Sequence, residues 1–143
     1  MKVLITDHFG ILCLADKHGI EHKKTDILDM KQVRIHGDFD NFDKKAVNVL
    51  NSIIKLTDCE IVISSDWKRF CSLEKMKDFY KSQGIIKSPL DYTPYIKGPY
   101  RGLEIKQWLD THKVDKWVAI DDLYLELDNF VWVSRTDEGI KQR

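Results

Sequence analysis

The chain has 143 residues, 43% of them hydrophobic and 32% charged, a composition that supports one hydrophobic core and a length too short for two ordinary domains. Its 23 basic and 23 acidic side chains balance, which excludes a global field for DNA or RNA and leaves only a local basic patch open. No stretch approaches the roughly 18 uninterrupted apolar residues of a membrane span, and the opening residues lack the charged, apolar and small-residue succession of a signal peptide. A single soluble domain over residues 1–143, without a membrane partner and in the cytoplasm, is the expectation.

In chain order, Lys2 to Thr6 (KVLIT) is a short apolar run of the kind found in strands buried on both faces, and it ends at Asp7. Gly10 to His22 reads as a hairpin turning at Asp16 to Gly19. Residues 23–40 are polar and weakly patterned, a loop with at most a short strand at Val33 to Ile35. From Asn41 the spacing of Phe42, Ala46, Val49, Leu50 and Ile53 is helical, with Asp40 and Asp43 available as caps.

Glu60 to Ser64 (EIVIS) is a second buried strand ending in hydroxyl residues. Phe70, Leu73, Met76 and Tyr80 mark one face of a second helix that stops at Gly84. The segment from Ile85 to Tyr100 holds all three prolines, Pro89, Pro94 and Pro99, and is expected to be an extended loop. A third helix follows on Leu103, Ile105, Trp108 and Leu109. Trp117 to Ile120 and Phe130 to Val133 are further strands, the first with Asp121 and Asp122 at its tip. Strands alternating with helices specify an α/β fold, a Rossmann-like and mostly parallel sheet with helices on both faces.

Ligands of such sheets bind outside the carboxyl ends of the strands. The residues at those ends are Asp7, Ser64 with Ser65, and Asp121 with Asp122. Clustered carboxylates repel unless protonated or bridged by a cation, and an all-oxygen site favours Mg²⁺ over zinc. Cys13, Cys59 and Cys71 are three in number and lack C-x-x-C spacing, which argues against a disulfide framework and a zinc site and for free thiols.

The segments VLITDHFGIL, IVISSDWKRF, RGLEIKQWL and WVAIDDL, in that order, resemble the four motifs of the haloacid dehalogenase-like (HAD) superfamily. The run from about Asn41 to Ile140 is most similar to the HAD-type phosphatase domain of Swiss Army Knife RNA repair proteins, whose pattern includes S-S-x-W-R, R-G-x-E-I and a paired D-D. The resemblance implies a Mg²⁺-dependent phosphohydrolase or phosphotransferase in which Asp7 attacks phosphorus to give an aspartyl-phosphate. It implies that Ser64 holds a phosphoryl oxygen by its hydroxyl and nearby backbone N–H, and that Arg101, or Lys97 in its place, neutralises the transferring group. Asp7, Asp122 and the main-chain carbonyl of Phe9 are the implied metal ligands, with Asp121 orienting metal-bound water or the basic residue. The substrate it points to is a nucleotide or an RNA or DNA end, in nucleic acid repair. The lack of a large cap domain agrees with a substrate that brings its own bulk.

One position departs from the family. The first motif, D-x-D-G-x-L, reads Asp7, His8, Phe9, Gly10, Ile11, Leu12. Phenylalanine replaces the aspartate that protonates the leaving group and then activates water, work worth on the order of 10²–10⁴ in rate. An aromatic there also occurs in 2-haloacid dehalogenases, although the paired Asp121 and Asp122 look built for metal and phosphate. The alternative reading is a catalytically degenerate HAD-like domain that binds phosphate, nucleic acid or a protein partner through the same pocket. His8 is a further acid–base candidate, but neighbouring side chains on an extended segment point apart. Trp67 and Trp108 fit packing better than base stacking, and His18, His22, His36 and His112 show no ligand spacing.

Overall fold

A computed structural model of the chain describes residues 1–8, 11–12, 42–133 and 140. Phe9, Cys13, Asp40, the expected strand at 33–35 and all but two residues of the expected hairpin lie outside the described residues.

Among the described residues five strands, Lys2–Thr6 (β1), Glu60–Ile63 (β2), Asp91–Tyr92 (β3), Lys116–Asp121 (β4) and Phe130–Trp132 (β5), form one sheet in the order β3-β2-β1-β4-β5. Every neighbouring pair is parallel. Three described helices, Lys44–Thr57 (α1), Leu73–Ser82 (α2) and Arg101–Asp110 (α3), lie between the strands, with a 3-10 turn at Asp66–Arg69. The expected Rossmann-like α/β architecture is the one observed. None of the described helices is long and apolar enough to cross a membrane.

The alternation of β1 divides the core into two layers. Leu4, with Ile61, Ile63 and Ile120, faces α1 and α2 and meets Leu50, Met76 and Tyr80. Val3 and Ile5, with Val62 and Ala119, face the other way and meet Ile105 and Trp108 of α3. Helices therefore cover both faces, which is why β1 and β2 are continuous apolar runs with no polar alternation.

The starts of α1 and α2 and the end of α2 have an identifiable chemistry. The Asp43 carboxylate accepts from the Ala46 N–H at 3.0 Å and starts α1, a contribution of about 1 kcal/mol for such a cap. Ser72 does the same for α2 by accepting from the Lys75 N–H. Gly84, at φ +83°, ends that helix as its position requires, and the Ile85 N–H reaches back to the Tyr80 carbonyl.

The structure departs from the sequence reading in three details. The segment expected to be wholly extended loop contains β3, which pairs with Val62 and Ile63; two residues are too few to carry a periodic signal. Leu103 is half exposed, while its neighbour Glu104 is buried. The buried face of α1 is centred on Ala46, Val47, Leu50 and Ile54, with Val49 and Ile53 only packed at its margin. Cys59 is a free thiol as expected.

Candidate active site

The register of the sheet brings the strand tips together. Thr6 pairs with Ile63 on one side and Ile120 on the other, so one step further Asp7 lies between Ser64 and Asp121. The Ser64 N–H donates to the Thr6 carbonyl at 3.0 Å and the Asp7 N–H donates to the Ile120 carbonyl at 3.2 Å, holding the three in line. The order of strands reverses between β1 and β4, and at such a switch point the connections diverge and leave a crevice.

The pleat sets where each side chain goes. Asp7 follows Val3 and Ile5 onto the α3 face, and the first residue of α3 is Arg101. Arg101 Nη1 donates to Asp7 Oδ2 at 3.0 Å and to Asp121 Oδ1 and Oδ2 at 3.0 and 3.1 Å. Its Nη2 lies 3.4 Å from Asp66 Oδ2. A cation is misplaced against the helix dipole at an N-terminus, and these carboxylates are what hold it there. They also push the Arg101 pKa up despite its burial. Lys97 is exposed, and of the two basic candidates Arg101 is the one beside the carboxylates.

His8 alternates to the opposite face. Its ring lies in the core beside Phe42, Trp67 and Tyr80, with Nε2 2.7 Å from the Tyr80 hydroxyl. The His8 N–H, however, donates to Asp7 Oδ1 at 2.8 Å, so both oxygens of Asp7 are oriented. Trp67 and Trp108 are both buried, as packing residues are.

Carboxylate oxygens of Asp7, Asp121 and Asp122 all lie within 4.8 Å of one another. Burial, the Asp7 charge and hydrogen bonds from its protonated form to Asp121 and Asp7 push the Asp122 pKa up to about 9. Burial likewise raises that of Asp7, against the opposing pull of Arg101. The three carboxyls together need more positive charge than one guanidinium supplies, and their donor set is all oxygen, which fits a hard divalent cation such as Mg²⁺.

Beside them the Ser64 hydroxyl is buried with no hydrogen-bond partner among the described residues. A buried unpaired hydroxyl costs about 1–3 kcal/mol, a cost that an acceptor from outside the chain would relieve. The two serines divide the work: Ser65, not Ser64, caps the 3-10 turn by accepting from the Trp67 N–H at 3.1 Å. The backbone N–H of Ser64 itself is committed to β1, so the group that Ser64 has left to offer a ligand is its hydroxyl.

The sequence reading missed a buried strut under the site. Lys68 Nζ lies 2.8 Å from Glu104 Oε1 and donates also to the Thr93 hydroxyl at 2.9 Å, with side-chain exposures of 3% and 7% for the ion pair. Glu104 Oε2 accepts from the Ile96 N–H at 2.7 Å. The pair ties the turn carrying Ser64 and Ser65 to the first turn of α3 carrying Arg101. Its signal was present in SSDWKR and RGLEI, but nothing in either segment says that they meet. Glu104→Ala, which strands a buried ammonium, is expected to destabilise the fold by about 3–5 kcal/mol in urea unfolding, whereas Lys68→Met with Glu104→Leu should recover most of the loss. A cost below about 1 kcal/mol for the single variant would show the pair to be solvated.

An apolar groove of about 340 Å³, lined by residues including Val3, Ile53, Cys59 and Trp117, lies at the amino ends of β1 and β4. It is remote from the carboxylates and presents no convergent polar groups. Compared with known proteins, residues 3–139 match the family described as the HAD domain in Swiss Army Knife RNA repair proteins. No curated protein and no solved structure matches the chain.

Proposed function

Because the chain belongs to the family of HAD domains found in Swiss Army Knife RNA repair proteins, we propose that it is a Mg²⁺-dependent HAD-like phosphohydrolase working through an aspartyl-phosphate at Asp7 on phosphorylated nucleotide or nucleic-acid ends. The observation that carries this reading is the convergence of Asp7, Arg101 and the Asp121–Asp122 pair beside the unpartnered Ser64 hydroxyl. A phosphate needs a nucleophile in line, a cation on its equatorial oxygens and a donor with nothing else to bond, and these residues supply all three.

In the proposed reaction a carboxylate oxygen of Asp7 attacks phosphorus while the bond to the leaving oxygen breaks. Water then attacks the same phosphorus, returns the carboxylate and releases inorganic phosphate. Arg101, shared by Asp7 and Asp121, holds the nucleophile in position and neutralises charge on the transferring group. The Ser64 hydroxyl donates to a phosphoryl oxygen. Asp7 and Asp122, with the Phe9 main-chain carbonyl that lies outside the described residues, would hold Mg²⁺, and Asp121 orients Arg101. Bound there, Mg²⁺ supplies the charge that keeps these buried carboxylates ionised and neutralises phosphoryl oxygens.

The reading is tested by thermal melting. Mg²⁺ at a hundredfold excess over its Kd is expected to stabilise the native protein by about 2.7 kcal/mol, a stabilisation that EDTA removes and that Asp122→Ala abolishes. The same variant should melt a few degrees higher than the native protein in EDTA, since it deletes a carboxyl pressed against two others. A Mg²⁺ shift unchanged in Asp122→Ala would place the metal elsewhere.

Phe9 favours a second reading, a domain of the same fold that binds phosphate, nucleic acid or a protein partner without turnover. The two differ in whether Asp7 becomes phosphorylated.

A further inference from the structure

The carboxyl end of β5 and the connection that follows β4 carry aromatic side chains into solvent beside the acidic cluster. Trp132 is 52% exposed and Tyr124 is 67% exposed. Their rings meet edge to face at 5.4 Å, and Tyr124 meets Phe130 similarly at 6.1 Å, so each ring holds the other's orientation while much of the pair faces water. Trp132 is fixed to the site itself: its indole Nε1 donates to the main-chain carbonyl of Asp122 at 3.0 Å, and the Val133 N–H next to it donates to the Asp121 carbonyl at 2.9 Å. Large exposed aromatic groups held rigid in this way mark a surface that binds something.

We propose that Trp132 and Tyr124 form a stacking subsite for a nucleobase next to the phosphate undergoing reaction. The inference rests on the reading that a terminal phosphate sits among Asp7, Ser64 and Arg101, and it names how that substrate is recognised. A ligand that presents a phosphate to the aspartates and a flat, uncharged ring to a surface one hydrogen bond away from Asp122 is a nucleotide end. Stacking suits a site of this kind because every base has a π-face, so it selects nucleic acid without selecting sequence. It also explains how a chain with no net charge could bind nucleic acid with little help from a general basic surface.

The test uses fluorescence anisotropy of labelled single-stranded hexanucleotides with a terminal phosphate, at the 3′ end in one arm and the 5′ end in the other. The protein is the full chain carrying Asp7→Asn, in Mg²⁺. Trp132→Ala and Tyr124→Ala, each checked for folding by melting temperature, are expected to weaken binding of at least one of these oligonucleotides by about tenfold, and Trp132→Phe by much less. An oligonucleotide whose terminal residue is abasic should bind weakly to begin with and lose nothing further. Equal affinity for base-bearing and abasic ends, or no loss in either alanine variant, would overturn the subsite and turn the patch into a face for a protein partner. Failure of the native protein to hydrolyse any phosphate would contradict the phosphohydrolase reading alone, because the anisotropy comparison decides the stacking subsite by binding.

Discussion

Asp7→Asn is expected to reduce hydrolysis of p-nitrophenyl phosphate by a factor on the order of 10⁴ or more, the scale seen when a nucleophile is removed. Asparagine keeps the shape of the side chain, and its carbonyl oxygen can still accept from the His8 N–H that orients Asp7 Oδ1. What is lost is the anionic oxygen that would bond to phosphorus. Arg101 retains Asp121 and Asp66 as partners, so the variant should stay folded and melt within a few degrees of the native protein. A variant that kept several per cent of native activity would remove Asp7 from the chemistry and leave it as one more carboxylate paired with Arg101.

Phe9→Asp is expected to act in the opposite direction. If the native protein lacks only its acid–base group, restoring a carboxyl there should raise turnover of an alkyl phosphate by about 10²–10⁴, and that of an aryl phosphate much less, because an aryl leaving group departs without a proton. The substitution also removes an apolar side chain, so rates are compared only after melting temperatures agree to within a few degrees. A folded, Mg²⁺-binding Phe9→Asp protein inactive on both substrate classes would favour the domain that binds without turnover. Activity present in the native protein and lost in both Phe9→Asp and Asp7→Asn would mean instead that Phe9 shapes a specialised pocket.

The framework of the site could be read from the sequence because it depends on short-range patterns. β1 and β2 are runs of apolar residues with a polar residue at the tip, and a parallel sheet sends such tips to one edge. Asp7, Ser64 and Asp121 are therefore neighbours once the strands are in register. Residues that meet through long connections were less accessible. Arg101 was nominated only by resemblance, and its contact with Asp7, 94 positions earlier, depends on where α3 begins. The Lys68–Glu104 strut has no periodicity of its own, and Glu104 looks like an ordinary acidic residue in a helix's first turn. Leu103 shows the converse: it is apolar at a helical position, yet the face chosen by Ile105 and Trp108 turns it outward. Trp132 read as part of an apolar strand, because nothing in FVWV shows that β5 is an edge with its tip open to water.

The most direct measurement is a crystal structure of the full chain with Mg²⁺ and fluoroberyllate. The expected result is a beryllium adduct on a carboxylate oxygen of Asp7, with fluorides facing the Ser64 hydroxyl and Arg101, and a Mg²⁺ ion shared by Asp7 and Asp122. Crystals grown in saturating fluoroberyllate that show Mg²⁺ bound but Asp7 still paired with Arg101 and carrying no adduct would contradict the assignment of Asp7 as the nucleophile.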